Sequence, residues 1–383
     1  MLWPDSVVID GNPISLADVL ADVIIHHGRT GVFDDATATT AQITLWEVDK
    51  EFAKAFRPGL TLAITAKNAA GTQPRFTGRV TDATLDVDRL TVIGTGILAT
   101  LTDYQIGLTG TWPVETWSAR INRIFTEAGL GSLLRFIPDP DFDPTVSARD
   151  STTAGSTTLG DYLTFLAPMV GASVHDGLDG TIVVEAVGSR RIEDALAIAP
   201  EDVAYAPIWS QVLPRGNIVT VRYTGDQSES VTVTDNASVG LYGTRYSTLD
   251  TTFTDVAAAT DRANTLLSRG AYSHWNVLEA PILRGLQLTI GQPLMFTQLP
   301  PAAPYDPWMP ILEGWQDEIS GDQWFMLLAL SDPAFSGLSL LPWDAVPTTG
   351  YAWNQVDPAT AWYEALSLDD LTPAALKRRE YAR

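Results

Sequence analysis

Over the first hundred residues, apolar and polar positions alternate in short bursts: VVID at 7–10, DVIIHHG at 22–28, AQITLW at 41–46, LTLAITA at 60–66, FTGRVTDATLDV at 76–87 and LTVIG at 90–94. A period of two in β-branched residues predicts strands, and the intervening GN, DD, AAG and DVD are hairpin punctuation. An open sheet would leave unpaired edges, so the expectation for residues 1–104 is a six-strand barrel or sandwich.

The period changes at 105. GLTGTWPVETWSARINRIFTEAGLG predicts a helix with Pro113 in its first turn and Glu115 at its positive end. Trp117, Ile121, Ile124, Phe125 and Ala128 share a face, and Gly129 is the stop. A second helix carries Leu159, Tyr162, Leu163 and Leu166, with Pro168 and Gly171 closing it, and ASVHDGLDGTIVVEAV reads as a hairpin. Residues 105–212 are thus a small α/β module placed between β regions.

Alternation returns at 213 with NIVTVRYTG and ESVTVTD. A helix over 255–270 turns Val256, Ala259, Ala263, Leu266 and Leu267 inward, and strands near 276–283, 286–290, 292–297 and 324–330 complete a second β domain, 213–337. The pattern predicts a mainly β chain in which two antiparallel barrel or sandwich domains flank the α/β module. In the last segment, 338–383, Trp343, Trp353 and Trp362 recur at spacings of ten and nine, far short of a solenoid repeat. This segment reads as an extended tail that docks along a partner, the alternative being a fold back onto its own domain.

The two β regions echo each other. Aligning Gly78 with Gly314 sets Asp82 on Glu318, Leu90 on Met326, and LTVIGT on MLLALS. Upstream, GLTLAIT at 59–65 faces GQPLMFT at 291–297, with a loop four residues longer in the second copy. Three elements in matching order predict a duplicated β domain.

Composition narrows the chemistry. The 383 residues contain no cysteine, which removes disulfides, thiolate metal sites and thiol nucleophiles together. A formal charge of −22 repels nucleic acid unless bases cluster, and the one tight basic run is LKRREYAR at the C-terminus. No signal peptide is expected from MLWPDSVVIDG, and no apolar run approaches a membrane span. Adjacent His26 and His27 would face opposite sides of a strand and so cannot share an ion. GTGILA at 94–99 lacks the following long helix of a dinucleotide fold and reads as a turn. Asp139, Asp141 and Asp143 alternate like the start of a calcium loop, but Pro140 and Pro144 and a missing glycine make it a solvated acidic loop. No nucleophile elbow, zincin or phosphate-loop motif occurs, and a carboxylate pair for glycoside hydrolysis has no positive signal. An enzyme, a cofactor and a metal are not expected.

The runs IIHHGRTGVFDDATATTAQITLW, RPGLTLAIT and RFTGRVTDATLD resemble the N-terminal domain of tail-tip hub (minor tail) proteins of long-tailed phages. TWPVETWSARINRIFTEAGL with LGDYLTFLAPMVGASVHDGLDGTIVVEA is similar to that family's inserted module, and ASVGLYGTRYSTLDTTFTDVAAATDRANTLLSRG to its later segment. The Trp-repeat tail is similar to those of minor tail proteins from phages of actinobacteria. The likeness spans essentially the whole chain, and the order of its loose motifs is its specific part. It implies two tube-like β domains per chain and a homotrimer that builds a pseudo-sixfold ring continuing the tail tube. It also implies contacts with the distal tail protein, the tape measure protein and other tip proteins. Phage DNA would pass through the lumen without specific binding, and the chain would reside in the virion after assembly in the host cytoplasm. Gly28, Arg29, Arg75, Phe76, Gly78, Asp82, Gly314 and Glu318 would belong to the ring-forming motif, and Trp343, Trp353 and Trp362 to partner docking. Competing readings are a hexameric distal tail protein, with one tube domain per chain, and a cell-wall carbohydrate-binding protein or glycosidase.

Overall fold

The computed structural model describes residues 3–9, 12–15, 21–29, 37–46, 50–54, 56–68, 71–107, 110–149, 157–186, 195–204, 207–224, 229–283, 285–299, 308–320 and 323–331. The Trp-repeat tail lies outside the described residues. Seven strands come first: β1 (Trp3–Ile9), β2 (Asn12–Ser15), β3 (Ala21–Gly28), β4 (Thr40–Trp46), β5 (Thr61–Asn68), β6 (Gly71–Asp86) and β7 (Arg89–Thr95). The middle of the chain holds α1 (Trp117–Glu127), β8 (Leu134–Ile137), α2 (Leu159–Val170), β9 (Ser173–Asp176), β10 (Ile182–Glu185) and β11 (Leu196–Ile198). There follow β12 (Ile208–Val212), β13 (Ile218–Tyr223), β14 (Glu229–Thr234), α3 (Asn236–Tyr242), β15 (Tyr246–Asp250) and α4 (Val256–Gly270). The last strands are β16 (His274–Ile282), β17 (Leu294–Phe296), β18 (Ile311–Ser320) and β19 (Gln323–Ser331).

An eleven-stranded sheet dominates, in the order β12-β16-β19-β18-β3-β4-β7-β6-β5-β1-β2. Every pairing in it is antiparallel. The order contains the same arrangement twice. With β5 set aside, which extends the first set beyond β6, β3-β4-β7-β6 and β12-β16-β19-β18 each run first, second, fourth, third along the chain, and each ends in a tight hairpin, β6–β7 or β18–β19. The last strand of the second set, β18, pairs with the first strand of the first, β3.

The N-terminal strands form part of a curled antiparallel sheet and are joined through β3 to the second strand set. The edge of β3 is covered by β18, so an exposed edge is removed by fusing both strand sets into one sheet. One hydrophobic cluster spans both, with Ile25, Ile43, Phe76 and Val92 from the first set and Ile282, Ile319, Met326 and Leu328 from the second. The strand expected at 286–290 is a loop, and that at 292–297 shortens to β17, which pairs in parallel with β11.

A second cluster joins α1, α2 and β10 to later elements: Ile121, Phe125, Leu166 and Val184 pack with Val219, Val221, Phe253, Ala259 and Ala263. Residues 218–270 thus share the core of the middle module and not that of the strand sets, although alternation alone groups them with the second β region. The cause is α4, whose small Ala258, Ala259 and Ala263 let it lie close on β13 and β14.

Helix boundaries differ in detail from the pattern. α1 starts after Thr116, whose hydroxyl accepts from Ala119 N at 3.3 Å; this cap moves Pro113 and Glu115 ahead of the helix. Glu115 instead pairs across a short strand with Val146 and holds Arg120 and Arg123 at 2.6 and 2.7 Å. α2 runs through Pro168 to Val170 and ends on left-handed Gly171. Val256 is half exposed on α4, and the seven residues of α3, NASVGLY, are too few to carry an apolar periodicity. GTGILA leads into a 3₁₀ turn over Ile97–Asp103. In the acidic loop Asp143 accepts from Ser118 N at 2.9 Å, at the start of α1. No described helix is long and apolar enough to cross a membrane.

Candidate functional site

The join between the two strand sets buries His27, Arg75, Glu313, Asp317 and Ser331. β18 has two successive neighbours. Its first residues pair with the turn before β17, Leu312 N donating to Gln292 O at 3.0 Å and Gly291 N to Leu312 O at 2.7 Å. From Gly314 onward it pairs with β3, Gly314 opposite Gly28 and Ile319 opposite Val23. A bulge between Leu312 and Gly314 marks the exchange and leaves Glu313 as the extra residue. Gly28 there has φ +68, and a Cβ on Gly314 would run into the carbonyl oxygens of His27 and Arg29, so glycine is required on both strands.

Glu313 is fully buried and held by Arg29, whose Nε and Nη2 donate to Oε2 at 2.9 and 2.7 Å, while Ser331 Oγ donates to Oε1 at 2.6 Å. Arg29 N also donates to Glu313 O at 3.1 Å, so one residue of the first set grips both backbone and side chain of the second.

Four residues on, Asp317 is also fully buried, on the inward parity with Trp315 and Ile319. Arg75 of β6 donates Nη2 to Oδ2 at 2.7 Å and to Oδ1 at 2.8 Å, and Nε to Oδ2 at 3.2 Å. His27 Nε2 donates to Oδ2 at 3.2 Å, Trp315 Nε1 at 3.0 Å, and Trp324 Nε1 to Oδ1 at 2.8 Å. β6 stands four places from β18 in the sheet, so this contact requires the sheet to curl and Arg75 to cross its interior. The Arg75 guanidinium also donates to Leu286 O at 3.0 Å and lies 4.9 Å from the Trp324 ring centroid, and the His27 ring stacks on Trp315 at 4.3 Å.

The electrostatics follow from this crowd of donors. Burial alone would raise the Asp317 carboxyl, but the Arg75 charge and the His27 bond outweigh it and hold the group well below the usual carboxylate range. Burial pushes His27 down, against the pull of Asp317, so its imidazole is neutral and the ion pair is Arg75–Asp317. Both oxygens of Asp317 are occupied by donors, so the carboxylate cannot take a proton from a substrate; the arrangement fastens two strand sets together. Among the described residues no three His, Asp or Glu side chains come together as metal ligands.

Of the residues singled out in the sequence, Gly28, Arg29, Arg75 and Gly314 meet at this seam. Phe76 lies in the shared core, Gly78 packs under the Thr95 carbonyl, and Asp82 and Glu318 are exposed, bonded to Thr84 Oγ1 and Gln316 Nε2. The carboxylates that do the fastening, Glu313 and Asp317, were missed, as were Trp315 and Trp324. The available signal was an acid on the apolar parity of a strand, flanked by Trp315 and Ile319.

No protein-family model and no curated protein sequence matches the chain. Its fold, however, is shared with solved structures. A 43 kDa tail protein of prophage MuSo2 from Shewanella oneidensis is similar at 15% identity with a TM-score of 0.58, covering 86% of this chain and 99% of that one. The tail protein from Neisseria meningitidis MC58 is similar at 14% identity and 0.58, over 87% and 97%. An E. coli type VI secretion component, described as structurally similar to the T4 bacteriophage tail proteins gp27 and gp5, is similar at 12% identity and 0.52, over 86% and 78%. The chain therefore has the mainly β fold of phage tail proteins and their secretion-system counterparts.

Proposed function

We propose that the chain is a structural tail protein of a phage and that three copies form the hub at the tail tip. The observation that carries this is the repeated strand order β3-β4-β7-β6 and β12-β16-β19-β18, joined edge to edge in one sheet. Three chains with two equivalent strand sets each present six, which is what a threefold assembly needs to abut a sixfold tube. The Arg75–Asp317 and Arg29–Glu313 contacts fix the angle between the two sets, and so the curvature such a ring must have. In this reading the hub meets the distal tail protein and the tape measure, DNA passes through a lumen whose walls, in a chain of net charge −22, do not hold it, and the Trp-repeat tail docks a neighbouring tip protein.

Native mass spectrometry of the purified full-length chain tests the copy number. A closed three-copy species is expected. A closed six-copy ring would overturn the hub in favour of a distal tail ring.

A further inference from the structure

Two apolar features that are exposed among the described residues carry opposite charge. The first is the tip of the β6–β7 hairpin. Val87 is 93% exposed and Leu85 42%, and Val87 is held at φ +43, a conformation that β-branched residues rarely adopt. Asp86 and Asp88 flank this knob, with Arg89 Nη2 3.7 Å from the Asp86 carboxylate, and Asp82 lies further back along β6 opposite Ile93.

The second lies on the middle module, where three separate segments are knitted around fully buried Asn217. Its side chain donates to Gly243 O at 2.8 Å and to Ser238 Oγ at 3.2 Å, and its Oδ1 accepts from Arg245 N at 2.8 Å. Ser238 Oγ in turn reaches Ala271 O, and Tyr242 and Tyr272 meet edge to face. On this rigid corner Leu213 is 60% exposed, Leu241 70% and Tyr246 74%. The same segments, 213–217, 235–246 and 269–273, bear Arg215, Arg245 and Arg269 against the single Asp235, inside a chain whose overall charge is −22. Exposed apolar side chains rimmed by tyrosine and arginine are the composition of association surfaces.

We propose that the hairpin tip of one copy seats on this corner of the next copy, Val87 and Leu85 packing among Leu241, Tyr246 and Tyr272 while the aspartates meet the arginines. The occupant is a second copy of this chain because the acidic apolar knob that complements the corner is on the chain itself. A contact between two different surfaces of identical chains is head-to-tail and closes into a ring when the rotation between copies allows it. The proposal rests on the three-copy hub reading and adds the surfaces that would join the copies.

The cysteine-free sequence supplies the test. Val87→Cys and Leu241→Cys, both at exposed positions, are combined in the full chain and treated with a short bis-maleimide, with each single variant as control. A covalent three-chain species from the double variant, and none from either single variant, is expected. If native mass spectrometry finds three copies but the double variant gains no cross-link over the single ones, the contact is overturned while the hub reading stands. Covalent closure at six chains would keep the contact and overturn the three-copy hub. A second measurement adds charge: Asp86→Arg with Asp88→Arg should lower the association constant at least tenfold, and adding Arg215→Glu with Arg269→Glu should recover most of that loss. An unchanged association constant in the first variant overturns the contact as well.

Discussion

Asp317 shows what a single buried charge does in this fold. Removing a carboxylate that neutralises a buried arginine leaves that charge unpaired, so Asp317→Ala should cost about 3–5 kcal/mol, read as a lower denaturation midpoint. The same network sets a pH dependence in two steps. His27 has a folded-state value below its ordinary 6.5, so the stability it contributes is complete above about pH 6.5 and declines as pH falls below that. Asp317 likewise lies below its ordinary 3.8, and its contribution is kept above about pH 4 and lost only in more acid solution. Urea titrations between pH 7.5 and 5 should show the first decline, and His27→Gln should remove most of it. An identical slope in the variant would mean that another group titrates there.

At the level of elements, the seam depends on two glycines meeting where β18 changes partners. Gly314→Ala would force a methyl group against the carbonyl oxygens of His27 and Arg29, and should destabilise by about 1–3 kcal/mol. Hydrogen exchange should then speed at Arg29 N, which bonds Glu313 O, well before the amides of β4 respond. How far such elements could be read beforehand follows from their physics. β4 and β7 were legible because each has one core face and one outer face, and alternation records that directly. α1 was legible as a helix, but its first residue was not, since Pro113 and Thr116 both suit a helix start and only the bond from Ala119 N decides. The pairing of β18 with β3 leaves no periodic trace, because it joins strands nearly 290 residues apart and depends on which edge is open. Asp317 stood in plain view on the inward parity of ILEGWQDE, yet only the folded sheet shows that Arg75 crosses to meet it.

For the whole molecule, the consequence is a division of stability that does not follow chain order. One core serves both strand sets, and another serves the module together with 218–270. Calorimetry should therefore resolve two cooperative steps. Asp317→Ala should lower only the step of the strand sets, whereas Phe125→Ala, which empties a fully buried site in the second core, should lower only the other by about 3–5 kcal/mol. Asp176 of β9 ties the two bodies together. Burial raises its carboxyl, while Thr39 N at 2.7 Å and Leu98 N at 2.8 Å donate to it from the first strand set and the turn that follows. Asp176→Ala strands both of those amides, so the two steps should move further apart while the step of the module keeps its own enthalpy. A single cooperative transition that survives this substitution would mean that the sheet and the module unfold as one body, with the coupling carried by contacts other than Asp176.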